Sequence, residues 1–303
     1  MRIGLMLHDH TGPDAVRRLT DELAQIADDG FESAWMSHIF GLDALTALAV
    51  AGSRVPGIEL GTGVVPTYPR HPGALAQQAR TVALAVGPGR LNLGIGLSHQ
   101  VVIENMFGYD FGRPARHMKE YLNILMPLLD GDQVSYTGET MTANLAMTMG
   151  DSGRVPVLVA AMGEVMLKLA ARRTDGTVLW MTGPATVEAH VAPIITAAAQ
   201  EAGRPAPRIV CSLPVLVTDD VDEAKTLAAK TFAVYGSLPS YRAMMDREGV
   251  SGPEGLAIIG DEDYVAERVR NVFASGATEF VGAIFKPGDD ATRTRTVLKD
   301  LAD

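Results

Sequence analysis

The sequence contains a single cysteine, Cys211, among its 303 residues. An internal disulfide and a metal site built from cysteines are therefore excluded. The sequence also lacks an apolar stretch of about 20 residues, the length that a helix needs to cross a bilayer. Its first residues run directly into a strand-like segment without a signal-peptide pattern. We therefore expect a cytoplasmic protein that has no membrane partner.

Basic residues are fewer than acidic ones. Lys and Arg number 26 against 36 Asp and Glu, which gives a formal net charge of −10. Nucleic acids and anionic membranes both attract basic surfaces, so neither is expected as a partner. The hydrophobic fraction of 47% instead indicates a soluble protein with a substantial core, of a size typical of an enzyme that acts on a small molecule.

Apolar segments of strand length alternate with segments of helical periodicity along most of the chain. Strands are predicted at residues 2–7, 33–37, 58–64, 91–96, 156–161, 176–181, 208–217 and 279–285. Helices are predicted at residues 14–28, 43–55, 72–86, 115–130, 164–173, 186–202, 221–232, 264–275 and 290–301. Two segments break the pattern: residues 133–149, which are typical of a hairpin or an irregular excursion, and residues 235–259, which are typical of several short helices.

Eight strands that are each followed by helical sequence predict a parallel sheet with right-handed crossovers, and eight such units close into a barrel. An open doubly wound sheet, with six or seven strands, is the alternative. The nearly continuous apolar strands fit a sheet that helices cover. We therefore predict an α/β fold with one (β/α)8 TIM barrel over residues 1–303 and insertions at about 131–152 and 235–260.

In such a barrel, the active site lies at the carboxyl ends of the strands. Three histidines, His38, His71 and His99, follow predicted strands. Imidazole can donate and accept hydrogen bonds and transfer a proton near neutral pH, but a histidine in this position can also be an ordinary polar loop residue. A metal site is disfavoured, because the neighbouring residues are not the carboxylates that orient metal-bound imidazoles.

Glycines mark several of the same strand ends. Gly94 and Gly96 lack the third glycine and the later acidic residue of a dinucleotide-binding fingerprint, so tight strand packing is the simpler interpretation. Gly61 and Gly63 would permit a close approach by a flat ligand. Residues 160–163 join a strand to a helix N-terminus, which favours a phosphate, although an ordinary turn has the same pattern.

Several segments, taken in order, resemble the bacterial luciferase-like superfamily. They are residues 30–35 (GFESAW), 60–66 (LGTGVVP), 70–72 (RHP), 89–96 (GRLNLGIG), 160–161 (AA), 170–172 (AAR) and 175–176 (DG). Within that superfamily, residues 35–38 and 61–72 are most similar to oxidoreductases that use a deazaflavin, coenzyme F420. The resemblance implies a cofactor ring at the carboxyl face of the barrel, with FMN as the alternative cofactor, and a homodimer.

The resemblance also implies a set of site residues, all near strand ends. The implied cofactor-binding residues are Ser37, His38, Thr62, Gly63, Val64, Leu97, Ser98, Ala160, Ala161, Met162 and Gly163. A non-proline cis peptide, here Gly63–Val64, would support the ring, and the N–H groups of Met162 and Gly163 would hold the phosphate. Better-known members of the branch often carry acidic residues where this sequence has Ser37 and His99.

The function that we expect is hydride transfer between F420 and a small organic substrate with an activated C=C, a C=N or an alcohol or carbonyl group, with His38 and His99 as the catalytic candidates. The alternatives are an FMN-dependent monooxygenase and a non-catalytic flavin-binding barrel. Arg113 and Arg116 are candidates for a basic patch or belong to a solvated face. Methionines and a tyrosine in the insertions either form an adaptable hydrophobic pocket or pack as ordinary loops: Met141, Met147, Met149, Tyr241, Met244 and Met245.

Overall fold

The computed structural model describes residues 1–302. The strands are β1 (Ile3–Met6), β2 (Ser33–Met36), β3 (Glu59–Thr62), β4 (Val65–Pro66), β5 (Leu91–Gly96), β6 (Val134–Thr137), β7 (Thr142–Leu145), β8 (Val157–Val159), β9 (Gly176–Trp180), β10 (Arg208–Val217), β11 (Ile258–Gly260) and β12 (Glu279–Ile284). The helices are α1 (Ala15–Asp28), α2 (Ala44–Gly52), α3 (Pro72–Val86), α4 (Pro114–Asp130), α5 (Glu164–Arg173), α6 (Pro184–Thr186), α7 (Ala192–Glu201), α8 (Val221–Thr231), α9 (Ala233–Ser237), α10 (Pro239–Glu248), α11 (Glu262–Ala274) and α12 (Asp289–Ala302).

Eight of these strands close into a parallel barrel in the order β1, β2, β3, β5, β8, β9, β10 and β12, and β12 pairs back with β1. The predicted TIM barrel is therefore confirmed. Strand β4 pairs with the carboxyl end of β5, and β11 pairs with the carboxyl end of β10. Within residues 1–302, none of the helices combines the length and the hydrophobicity that a bilayer-spanning helix requires.

The interior of the barrel is filled by a cluster of side chains from β2, β8, β9, β10 and β12. The cluster consists of Trp35, Leu158, Val178, Val210 and Val281. Gly61 has no side chain because the indole of Trp35 occupies that space: a Cβ on Gly61 would lie 2.3 Å from the ring. The interpretation of Gly61 as room for a ligand is therefore wrong, because the glycine serves internal packing.

Charged residues close the amino-terminal end of the barrel. The Glu279 carboxylate is fully buried and accepts hydrogen bonds from Ser33 Oγ (2.5 Å), Trp35 Nε1 (2.9 Å) and Arg2 Nε (2.9 Å). Arg208 pairs with the same carboxylate from β10. A buried charge is tolerated only when it is paired and hydrogen-bonded, so this network stabilises the end of the barrel opposite the expected site.

The first insertion is an antiparallel hairpin, β6–β7, as the sequence indicated. Glu120 of α4 holds its turn by accepting hydrogen bonds from Thr140 Oγ1 (2.7 Å) and from the backbone N–H groups of Glu139, Thr140 and Met141. Burial disfavours the charged form of Glu120, but these bonds outweigh it and hold its pKa at about 2.

The second insertion spans residues 218–260 and lies at the carboxyl end of the barrel. Helix α8 packs on Leu216 and Ile259. The helix that packs on the outside of the barrel between β10 and β12 is α11. The predicted start at about residue 235 is therefore too late, because α8 has the periodicity of an ordinary barrel helix. Strand β11 was also missed, because a run of three residues is too short to show a period of two.

Candidate active site

The floor of the barrel mouth is apolar and is built from small or flexible side chains. Met6, Val64 and Ala160 are half-buried and pack on the interior cluster that contains Trp35. A Cβ on Gly96 would lie only 2.6 Å from a methyl group of Val64, which is too close for two carbon atoms. The absence of a side chain on Gly96 thus leaves room for both Val64 and Ala160.

The peptide bond between Gly63 and Val64 is cis, at the position that the resemblance indicated. A Cβ on Gly63 would have only the Met6 methyl group within 4 Å, at 3.8 Å, so open space adjoins this glycine. Thr62 lies beneath the floor, fully buried, where its hydroxyl group bonds both the N–H and the carbonyl of Gly94. Gly94 itself is packed tightly, since a Cβ there would lie 1.9 Å from the Thr62 carbonyl oxygen.

His38 follows β2 and is held by the start of α2. Its Nδ1 accepts a hydrogen bond from the backbone N–H of Ala44 (3.3 Å), and its Nε2 lies 3.8 Å from Asp43 Oδ2. The neutral ring therefore carries its proton on Nε2. Burial lowers the pKa of His38, Asp43 partly offsets this, and Arg70 lowers the pKa further. His38 is consequently a neutral hydrogen-bond donor at pH 7.

Asp43 is fixed from three directions. It caps α2 by accepting from Thr46 N (2.8 Å), it pairs with Arg70 Nη2 (2.8 Å), and it accepts from Gln78 Nε2 (3.2 Å). Burial opposes the charge on Asp43, but these contacts outweigh it and lower its pKa. Asp43 was missed as the acidic neighbour of His38, although an aspartate before an alanine-rich helix is a recognisable N-cap.

His99 follows β5, after Ser98, which has a left-handed backbone (φ 62°). Its carbonyl oxygen accepts the N–H groups of Val102 and Ile103, both at 2.9 Å, and so begins a π-helical turn. Burial lowers the pKa of His99, so this imidazole is also neutral. Leu97, Ser98 and His99 are all half-buried at the mouth, as is Ser37, whose hydroxyl group lies 3.4 Å from Asp9.

The loop after β8 presents backbone donors at the start of α5. The N–H groups of Ala160 and Ala161 are taken by Ile95 and Thr177. Those of Met162 and Gly163 have no acceptor within residues 1–302. Because helix N-termini favour anions, these two groups can receive a phosphate. His190 supports the loop from outside, where its Nε2 bonds the Met162 carbonyl oxygen at 2.8 Å.

Three of the predicted features lie outside the mouth. His71 caps α3 through Gly73 N (3.1 Å) and contacts the Thr142 carbonyl oxygen of the hairpin. Arg113 and Arg116 both pair with Glu139 at the hairpin turn, and Arg116 also lines a cleft between α4 and α5. The methionines of the hairpin region, Met147 and Met149, line a separate cleft of about 530 Å³ against α3.

Two groups at the mouth were missed. His8 and His10 follow β1, and Glu22 accepts a hydrogen bond from each of them, at 2.5 Å and 2.7 Å. The bond from His8 to Glu22 outweighs burial and raises the pKa of His8. Applying the strand-end rule to the first strand finds this histidine pair. The second group is a row of six rings that we call the aromatic wall: His99, Tyr241, Tyr235, Trp180, Phe232 and Phe285. Successive ring centroids are 4.9 to 5.8 Å apart.

Comparison with known proteins agrees with this fold. The family model described as luciferase-like monooxygenase matches residues 1–279. The 5,10-methylenetetrahydromethanopterin reductase of Archaeoglobus fulgidus is 30% identical over 254 residues, which cover 82% of this chain and 73% of that protein.

Two solved structures share the whole architecture. An F420-dependent secondary alcohol dehydrogenase, in complex with an F420–acetone adduct, superposes with a TM-score of 0.83 at 17% identity and covers 99% of this chain and 97% of that one. The FMN-bound oxygenating constituent of 3,6-diketocamphane monooxygenase from Pseudomonas putida gives a TM-score of 0.76 at 18% identity and covers 100% and 96%. The chain therefore belongs to the luciferase-like monooxygenase family.

Proposed function

We propose that the protein is a coenzyme F420-dependent oxidoreductase that transfers hydride between the deazaflavin and a small organic substrate. The observation that carries the proposal is the floor of the mouth. Met6, Val64 and Ala160 form an apolar, half-buried surface on which one face of a flat tricyclic ring could lie, and Gly63 leaves open space beside it. The fold also offers phosphate donors beside this surface, at Met162 and Gly163.

The choice of F420 over FMN draws on relatives. Besides the alcohol dehydrogenase described above, the tetrahydromethanopterin reductase of Methanopyrus kandleri with this fold is described as coenzyme F420 dependent. The apolar floor would also accept the ring of FMN, the ligand named in the Pseudomonas putida monooxygenase structure. An FMN-dependent monooxygenase is therefore the second candidate, and binding measurements separate the two.

When bound, the reduced deazaflavin supplies a hydride to an electrophilic carbon of the substrate, and the cofactor is left oxidised. The chain then supplies the proton that completes the reduction, to the substrate heteroatom or to the neighbouring carbon. We assign this role to His38, whose neutral ring carries its proton on Nε2, because Nδ1 accepts from Ala44 N. His99 is the second donor, on the other side of β3.

The test is a titration of the purified protein with F420 and, separately, with FMN, followed by quenching of tryptophan fluorescence. We expect F420 to bind at least tenfold more tightly than FMN. Gly63→Ala places a methyl group in the open space beside the floor, so it should weaken F420 binding at least tenfold while the protein stays folded. Gly150→Ala is the matched control, because a methyl group there also meets open space, outside the mouth.

Turnover with reduced F420 tests the histidines. Replacing His38 or His99 by alanine should lower kcat by roughly 10²- to 10⁴-fold, the usual contribution of a positioned general acid. Tight FMN binding without a response to F420 would replace the proposal by the FMN alternative. Unchanged turnover in both histidine variants would show that the proton comes from elsewhere, and binding without any turnover would favour a ligand-binding barrel.

A further inference from the structure

The aromatic wall lies at the mouth of the barrel, and three of its six rings come from the second insertion. Tyr235 and Tyr241 come from α9 and α10, and Phe232 follows α8. They bridge the strand-end residues Trp180 and Phe285. Glu248 ties this insertion to the barrel by accepting hydrogen bonds from the N-terminal backbone and the Thr186 hydroxyl group of α6. The wall is therefore a fixed part of the site.

The opposite rim of the mouth is apolar too. Ile39 and Phe40 follow β2, Met106 and Phe107 follow β5, and all four side chains are exposed, Phe40 by 63%. The rings of Phe40 and Phe107 lie 6.3 Å apart, so the two loops meet at the entrance. A ligand that enters the mouth passes between apolar surfaces on both sides.

The partly buried cations of the mouth loops are already paired with carboxylates. Arg70 pairs with Asp43, Lys286 with Asp290 (3.1 Å), and Arg242 with Asp246. Arg70 keeps one buried guanidinium nitrogen, Nη1, without an acceptor within residues 1–302, but Asp43 already balances its charge. An anionic substrate would therefore gain a hydrogen bond but no free counter-ion in return for its lost hydration.

One polar donor of the wall stands without a partner. Trp180 Nε1 is buried and has no acceptor in hydrogen-bonding geometry within residues 1–302, since the Tyr235 phenol beside it lies outside that geometry. Burial also raises the pKa of Tyr235 and Tyr241, so both phenols stay protonated. A buried donor that lacks an acceptor is costly, and a ligand with a neutral oxygen acceptor would satisfy it.

From these observations we infer that the substrate is a neutral carbonyl compound with a flat, unsaturated or aromatic portion. The flat portion stacks on the aromatic wall, and the carbonyl oxygen accepts from the donors of that wall. This inference rests on the proposed function for its chemistry, since such a carbonyl compound is a hydride acceptor. It depends on the wall and not on the floor, so the two can be tested separately.

The experiment compares two probes with one planar skeleton: benzalacetone, a neutral enone, and trans-cinnamate, its anionic counterpart. Binding to the wild-type protein is measured by isothermal titration calorimetry and by quenching of Trp180. Trp35 is fully buried inside the barrel, and Trp180→Phe removes the quenching signal at the wall. We expect benzalacetone to bind at least tenfold more tightly than cinnamate.

Wall variants decide whether the probe binds where the inference places it. Tyr241→Ala should weaken benzalacetone binding at least tenfold, and Tyr241→Phe should retain most of it, which also controls for folding. Tyr264→Ala, on the exposed face of α11, is the matched control and should have no effect. Equal or tighter binding of cinnamate, or unchanged binding in Tyr241→Ala, would overturn the inference.

A parallel F420 titration, followed by the fluorescence of the cofactor itself, separates this inference from the proposed function. If F420 binds and benzalacetone does not, the substrate class is wrong while the proposed function stands. If benzalacetone binds as expected and F420 does not, the substrate class stands and the assignment of the cofactor fails.

Discussion

Replacing Glu279 by glutamine measures how strongly the charged network holds the closed end of the barrel. The carboxylate is fully buried and shares its two oxygens among donors from Ser33, Trp35, Arg2 and Arg208. Glutamine keeps the shape but has one acceptor oxygen and no charge. Arg2 and Arg208 therefore lose one of the two carboxylates that they share and keep only Glu59, and part of the donor set loses its acceptor.

The magnitude follows from burial. Removing one partner of a buried ion pair costs about 3–5 kcal/mol. The side chains of Arg2 and Arg208 are 27% and 21% exposed, so water can partly solvate them. We therefore expect a cost at the lower end of that range. For a chain of 303 residues, about 3 kcal/mol corresponds to a Tm lower by roughly 5 °C.

Urea denaturation followed by circular dichroism checks the value. Glu32→Gln is the matched control: Glu32 is 46% exposed and pairs with the same Arg2, so its loss should cost only about 0–1 kcal/mol. F420 affinity should stay unchanged in folded Glu279→Gln protein, because the network lies at the far end of the barrel. A free energy of unfolding for Glu279→Gln that equals that of Glu32→Gln would refute the reasoning.

Three further predictions follow from single contacts. Asp43→Asn keeps the cap of α2 but removes the charge that favours protonated His38, so the pKa of His38 should fall, as NMR titration can measure. Glu120 has a lowered pKa, so its stabilisation of the hairpin is complete above its ordinary value of 4.5 and is lost as pH falls towards about 2; hydrogen exchange of β6–β7 should follow that course. Gly94→Ala should destabilise the protein severely in a thermal melt, because its methyl group would overlap the Thr62 carbonyl oxygen.

Each of these has its own contrary result. A His38 that titrates unchanged in Asp43→Asn protein would mean that solvent screens the aspartate. If hydrogen-exchange protection of β6–β7 in the wild-type protein stays constant down to pH 2, the protonation of Glu120 does not control the hairpin. Gly94→Ala protein that melts like the Gly150→Ala control would show that β3 and β5 can separate at little cost.

The barrel could be predicted from the sequence because its strands and helices repeat eight times, and each repeat carries its own periodicity. The floor was accessible only through resemblance. No periodicity shows that Val64 fills the space that Gly96 leaves, since this contact joins residues that are 32 positions apart. Gly61 and Gly63 have the same local pattern, and only the neighbouring Trp35 ring distinguishes their roles.

The aromatic wall escaped prediction for a different physical reason. Its rings come from strand ends and from an insertion, so their proximity depends on how α8 to α10 fold back over the mouth. The local sequence predicts that these segments are helical but not how the helices are oriented relative to the barrel. The pairing of Arg113 and Arg116 with Glu139 escaped for the same reason, because it depends on where the hairpin turn lies.

The division of the mouth between two chain segments has an evolutionary consequence. The surface proposed for the cofactor belongs to the barrel, whereas three of the six rings proposed to select the substrate belong to one contiguous stretch, residues 218–260. Exchange of that stretch alone would change the proposed substrate site and leave the proposed cofactor site unchanged. A new specificity can thus arise in this architecture by replacement of one segment, while the cofactor surface of the barrel stays unchanged.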